Sequence, residues 1–258
     1  MVFLMGLLEK EEYDDYCNKY RKLWGYLKKC SYPDNEVISK ICQLRGYSLS
    51  GNMPDILKEA EFVYLRPDLF KLEIVKKADM KRDLGLFSDD GKFLLLNRFI
   101  FPVKDMLGNV IALIGWFPDE KKYITSPSKM FSKKCLFFGL EQLSKTGIGK
   151  RYFLTEGIFD SLSVRATGYN CVALMGISAS NYTKVLYSLF KGIVAIPDND
   201  TEGRCVIEGD RWCLPSNCKY LRLVGKYKDI DDVLKAFDMS EVFEGVWKEP
   251  DRVVSVKL

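Results

Sequence analysis

The sequence predicts an α/β protein whose C-terminal half is built on a mostly parallel sheet. Two patterns lead there. From about Gly149 onward, short apolar runs alternate with amphipathic stretches, and strand–helix alternation implies parallel strands covered by helices on both faces. Three of those apolar runs also end in acidic loops, and ligands gather outside the carboxyl ends of the strands in such sheets. A third pattern marks the first half as different: between Phe93 and Trp116 strand-like runs follow one another with a turn between them, which reads as α+β.

The elements follow in order. Glu9 to Cys30 alternates charges with Tyr, Trp and Leu and reads as one or two amphipathic helices. Its mixture of Tyr20, Arg21, Lys22, Trp24, Lys28 and Lys29 is the composition of a half-solvated helix or, less often, of a strand-binding face. Ser50 to Pro54 is a loop. Phe93 to Leu96, Arg98 to Val103 and Val110 to Trp116 read as strands, with Leu107-Gly108-Asn109 as the turn before the last. Lysines then gather at positions 121, 122, 129, 133 and 134, around Tyr123 and Ser126-Pro127: a solvated face or a cradle for phosphates. Gly147 to Arg151 resembles a phosphate loop only superficially, because Arg151 stands where Ser or Thr is needed. Strands are then expected over Tyr152–Leu154, Cys171–Leu174, Ile193–Ile196 and Tyr220–Val224. Helices are expected over Ile158–Ala166, Tyr182–Phe190, after Gly203, and over Asp232–Phe237. This divides the chain into an N-terminal α+β subdomain (1–148), a metal-binding domain (149–240) and a C-terminal tail (241–258).

Composition excludes several classes. The 258 residues are 47% hydrophobic and 29% charged, ordinary for a globular protein, and the net charge of +4 is too mild for a protein that coats duplex DNA. There are eight Cys and no His, and no two Cys form a Cys-x-x-Cys pair, so the common zinc sets are unavailable. The cysteines read as reduced thiols of a cytoplasmic protein. The apolar start, Met1 to Leu8, is too short to span a bilayer and lacks a basic leader, so neither membrane insertion nor export is expected.

The chemistry lies in the acids. The first C-terminal strand leads into Glu156 and Gly157, with Asp160 one helical turn further and on the same side. The third leads into Asp198-Asn199-Asp200 and the fourth into Asp229-Ile230-Asp231. All three groups should converge on one edge of the sheet. Converging carboxylates repel one another unless a cation intervenes, and an all-oxygen donor set favours Mg²⁺ or Mn²⁺ over zinc. Asp at a helix start is also a good cap, and Asp232 reads as that alone.

The run Glu156-Gly157-Ile158-Phe159-Asp160, then Gly176, then Asp198-Asn199-Asp200 with Gly203, resembles the Toprim domain of topoisomerases, primases, recombination mediators and some nucleases. Lys228-Asp229-Ile230-Asp231-Asp232 resembles the second acidic pair of bacterial-type replicative primases. Arg98 to Asp105 is similar to the segment before the primase hairpin. Lys122-Tyr123-Ile124-Thr125-Ser126-Pro127, Phe131-Ser132-Lys133 and Phe138-Gly139-Leu140 are similar in order and spacing to the primase basic motif. The likeness spans roughly residues 26 to 237. There are departures: Trp116 replaces an arginine after the hairpin glycine, Asn199 a glycine and Ile230 a proline, and no zinc-binding or helicase segment accompanies the match.

The resemblance implies a DNA primase core making short RNA primers on single-stranded DNA from nucleoside triphosphates. Glu156, Asp198 and Asp200 would hold the catalytic Mg²⁺ or Mn²⁺, with Asp229 and Asp231 helping at a second ion and no zinc, and Asp160 would orient Glu156 or a metal-bound water. Arg98, Lys122 and Lys133 would contact nucleotide phosphates or template. A replicative helicase or a separate zinc-binding protein would be a natural partner for so compact a core, of a size expected in a phage or plasmid. A Toprim-type nuclease using the same acids, or a non-catalytic protein that binds replication factors, are the alternatives.

Overall fold

The protein, seen in a computed structural model, is described over residues 10–79, 84–119, 122–125, 136–147, 149–175 and 181–258. It forms two compact units, 1–50 with 54–133 and 51–53 with 134–258.

The first unit opens with helix α1 (Lys10–Lys29) and α2 (Asp34–Arg45), followed by α3 (Met53–Glu59), the short strand β1 (Val63–Tyr64), α4 (Leu72–Ala78), and strands β2 (Phe99–Lys104), β3 (Val110–Phe117) and β4 (Lys122–Thr125). The four strands make an antiparallel sheet in the order β1-β2-β3-β4. The charge–aromatic alternation of α1 resolves into one buried stripe, Tyr13, Tyr16, Tyr20, Leu23, Trp24 and Leu27, at three- and four-residue spacing. Three hydroxyls on that stripe dock the helix: Tyr13 donates to Asp105, Tyr16 to the Ile111 carbonyl (3.0 Å) and Tyr20 to the Leu84 carbonyl (3.0 Å). Asp105 also accepts from the backbone N–H groups of Leu107 and Asn109, both at 2.8 Å, which builds the hairpin turn expected at Leu107–Asn109.

One expected strand does not form. Phe93 makes only an isolated bridge to Phe87, and the chain turns at once through Leu94 to Asn97. Asn97 sits at φ 56°, a left-handed conformation that no strand continues through.

The second unit contains β5 (Phe137–Phe138), α5 (Gln142–Thr146), β6 (Arg151–Thr155), α6 (Ile158–Ala166), β7 (Cys171–Leu174), α7 (Asn181–Tyr187), β8 (Gly192–Ile196), α8 (Thr201–Glu208), β9 (Lys219–Val224), α9 (Ile230–Ala236), α10 (Ser240–Gly245) and β10 (Val253–Lys257). The sheet order is β10-β9-β8-β6-β7-β5, parallel throughout except for the β5–β7 pair. The mostly parallel α/β sheet is therefore as expected. The central strands are buried at every position but Arg151, which is why they read as continuous apolar runs.

Both expected boundaries shift. Phe137 and Phe138 pair with Leu174 and Ala173, so residues assigned to the N-terminal subdomain belong to this sheet. Residues 241–258 are not a tail. Phe243 and Val246 enter the same core as Phe153, Leu221 and Ile230, and β10 runs parallel to β9 from Val253 to Lys257. Each such fully buried apolar side chain contributes roughly 1.5–3 kcal/mol, ample to fix a short helix in place.

Candidate metal centre

The second unit brings the predicted acids to the carboxyl ends of β6, β8 and β9. Glu156 follows β6 directly, and Gly157 caps α6, whose first turn carries Asp160. A Cβ at this glycine would lie 2.3 Å from Asp160 Oδ2, so a larger residue would push the Asp160 carboxylate aside. Asp198 and Asp200 follow β8, and Asp200 accepts from the Gly203 N–H (2.9 Å) as the N-cap of α8. A Cβ on Gly203 would stand 1.8 Å from the Asp198 carbonyl oxygen, so only glycine lets the helix start this close to the acidic loop. Asp229 follows β9 and caps α9, accepting from the Asp232 N–H (2.9 Å). The cap is thus Asp229 rather than Asp232, which is exposed and lies 3.6 Å from Lys235.

The groups meet. Glu156 Oε1 accepts from the Asp198 N–H at 3.2 Å, and Asp160 Oδ1 accepts from the Asp231 N–H at 3.2 Å. Burial, then the charges of Asp198 and Asp200, push the Glu156 carboxyl up to about 7. Burial also lifts Asp198 to about 6, with Lys228 opposing and Asp229 and Asp200 assisting. Asp160 is driven well above the carboxylate range by burial and by Asp229, Asp198 and Asp231. These are acids that resist ionising together, and a cation placed among them is the relief their chemistry calls for. The donors are all hard oxygens, which fits a divalent cation of the Mg²⁺ class.

Asp231 differs from the others. The carboxylate oxygens of Asp229, Asp231 and Asp232 lie within 4.8 Å of one another, a spacing compatible with an ion. Yet the Asp231 side chain is completely buried. Ser163 donates to one of its oxygens, and the Lys235 ammonium holds the other at 2.8 Å. This geometry ties α6 to α9 through the Asp231 carboxylate.

Several contributors carry no assigned role from sequence. Lys228 forms an ion pair with Asp198 (3.3 Å). Asn199 stitches two acidic loops together: its N–H donates to the Lys228 carbonyl (2.5 Å), and its Nδ2 donates to the Gly225 and Tyr227 carbonyls, both at 3.0 Å. Lys235 is detectable as a cation four residues after Asp231, whereas Ser163, 68 residues away, carries no signal.

In the first unit Arg98 lies over the Phe117 ring, 5.2 Å from its centroid, and its Nε donates to the Leu94 carbonyl (3.0 Å). Its Nη1 is buried with no partner among the described residues. Lys122 lies in β4 opposite Phe117. Lys133 and Gly176 lie outside the described residues. Trp116 is buried against Phe99, with the Arg45 guanidinium 5.9 Å from its ring centre. Among the described residues no helix is long and apolar enough to cross a membrane.

Comparison with known proteins agrees. Residues 153–234 match the Toprim-like family model. The DNA primase of Borreliella burgdorferi is 30% identical over 214 residues, which is 78% of this chain and 38% of that protein. The DNA primase of Clostridium acetobutylicum is 35% identical over 113 residues, 42% of this chain and 19% of that protein. The chain thus spans well under half the length of these relatives. A solved DnaG primase catalytic domain bound to single-stranded DNA superposes with a TM-score of 0.70 at 18% identity, covering 92% of this chain and 82% of that one. Residues 153–234 are therefore a Toprim-like domain, set in a chain with the fold and the sequence relatives of bacterial DNA primase catalytic cores.

Proposed function

We propose that this chain is a primase catalytic core that joins ribonucleotides into a short primer on a single-stranded DNA template. The observation that carries the reading is the convergence of Glu156, Asp198, Asp200 and Asp229 at the carboxyl ends of three neighbouring parallel strands. Glu156, Asp198, Asp200 and Asp229 would hold Mg²⁺ or Mn²⁺, in all two ions. Such ions, when bound, offset the charge that develops on the reacting phosphate and the departing pyrophosphate.

The chain's own residues do the rest. Asp160 and Asp231 position the α6 and α9 ends that carry the outer acids. Lys228 keeps Asp198 ionised and aimed into the site. Arg98, whose Nη1 has no partner among the described residues, would take a nucleotide or template phosphate, as would Lys122 and Lys133. The attacking group is the 3′-hydroxyl of the growing strand and the target is the α-phosphate of the incoming triphosphate. A helicase or a zinc-binding protein acting in trans would supply template selection, and the setting would be a cytoplasm, the host's if the chain is viral.

The test is a primer-synthesis assay with single-stranded DNA, labelled nucleoside triphosphates and Mg²⁺ or Mn²⁺, against a chelator control. Short, template-dependent, metal-dependent products are expected, and Glu156→Gln or Asp198→Asn should abolish them in a folded protein. Template degradation without synthesis would move the assignment to a nuclease.

A further inference from the structure

A polar cavity lies at the end of this sheet opposite the carboxylates. Its volume is ≈ 670 Å³, and it is formed where β6 and β8 begin and where the turn before β7 passes. The carboxylates sit at the other ends of these strands, and a five-residue strand is about 16 Å long. The two sites are therefore separate.

The lining is cationic and aromatic. Lys150, Arg151, Lys191 and Lys248 border the cavity and are exposed, and among the described residues none of the four has a carboxylate partner. The one acid in the lining, Glu244, accepts from the Tyr169 hydroxyl at 3.3 Å. Trp247 forms one wall, and the Arg151 guanidinium lies over its ring, 5.1 Å from the centroid. Gly149 and Gly168, both left-handed, leave the rim open, with nothing within 4 Å of where a Cβ would stand. The backbone is firm beneath this surface: the Gly149 N–H donates to the Leu189 carbonyl and the Lys191 N–H to the Lys150 carbonyl, both at 2.9 Å. The run Gly147 to Arg151, which lacks the residues of a phosphate loop, thus brings its Lys and Arg to a basic rim by another geometry.

We propose that this cavity binds a nucleotide unit of single-stranded nucleic acid, with the base stacked on the Arg151–Trp247 pair and the flanking phosphates on Lys150, Lys191 and Lys248. Stacking on an aromatic or guanidinium plane plus a row of unpaired cations is how strands are held without sequence preference. The size suits one nucleotide. A free nucleoside triphosphate shares this chemistry, and the test separates the two sources.

Trp247 supplies a local reporter. Of the four tryptophans, Trp24, Trp116 and Trp212 are buried at 4%, 2% and 0% exposure, so Trp247 alone meets solvent. A short oligothymidylate should quench its emission, and Trp247→Phe should remove the response. Lys150→Glu with Lys191→Glu should weaken the oligonucleotide at least tenfold and flatten the log-affinity against log-salt slope by about 1.4, from about 0.7 for each phosphate left unneutralised. Asp198→Asn should leave the quenching unchanged, so the result does not depend on the carboxylate site. Quenching by adenosine triphosphate but not by the oligonucleotide would reassign the cavity to a free nucleotide and overturn the strand reading. No quenching by either, while iodide still quenches Trp247, would overturn the site altogether, as would full affinity in the double charge reversal.

Discussion

Replacing Lys235 by Met leaves the Asp231 carboxylate buried with its cation removed. At 2.8 Å and an effective dielectric near 20, the pair attracts by roughly 6 kcal/mol before desolvation is set against it. Removing one partner of a fully buried pair costs about 3–5 kcal/mol. Here the Lys235 side chain is 26% exposed while Asp231 is 0% exposed, so water reaches only one end of the pair. Ser163 still donates to the orphaned carboxylate. The expected loss is therefore at or just below the lower end of that range, about 2–3 kcal/mol. Adding Asp231→Asn removes the stranded charge and keeps an acceptor for Ser163, so the double variant should recover about 1–2 kcal/mol relative to the sum of the single losses. Urea denaturation at unchanged m-value reads this directly. If Lys235→Met kept its midpoint and bound Mg²⁺ more tightly, Asp231 would be serving the cation, and the anchoring argument would be wrong.

Three further outcomes follow from the site. Glu156 and Asp198 have folded-state values raised to about 7 and about 6, so the folded form holds protons that the unfolded chain releases near pH 4. The stability they contribute is therefore full below that pH and lost as pH rises through 6 to 7. Metal-free protein should be less stable to denaturation at pH 8 than at pH 5 by on the order of 3 kcal/mol, with Mg²⁺ flattening the curve; a metal-independent profile would refute it. Gly203→Ala must displace the Asp198 carbonyl and should cost at least about tenfold in Mg²⁺ affinity, or about 1.4 kcal/mol, by calorimetric titration; unchanged affinity would contradict the close packing. Asn199→Ala removes two hydrogen bonds across the acidic loops and should cost about 1–2 kcal/mol in denaturation, with weaker Mg²⁺ binding, whereas Asn199→Asp should not restore either, since it cannot donate to two carbonyls.

Much of this is legible because buried parallel strands write themselves as continuous apolar runs. Cys171–Leu174 and the helix Ile158–Ala166 stand where their residues indicate. The acids are legible because each follows such a run. What stays hidden in the sequence is what depends on distant partners. Asp229, Asp231 and Asp232 look alike in the chain, and only the packing of α6 on α9 makes Asp231 a buried anchor, Asp229 a cap and Asp232 a surface charge. Phe93–Leu96 has strand composition, yet the left-handed Asn97 ends it. Strand β10, Val253 to Lys257, alternates exposed with half-buried positions and is short, so its periodicity is too weak to register without its pairing to β9.

The three tyrosine hydroxyls of α1 have a kinetic consequence. Their acceptors Asp105, Ile111 and Leu84 lie 92, 95 and 64 positions downstream. At about 5–20 residues per second of synthesis, the first helix waits roughly 5–20 s before the hairpin that receives its apolar stripe has been made. Throughout that interval Tyr13 and Tyr16 lack the acceptors that hold them in the folded protein. Docking of α1 thus closes loops of 64 to 95 residues, a late event beside the local pairing of β2 with β3.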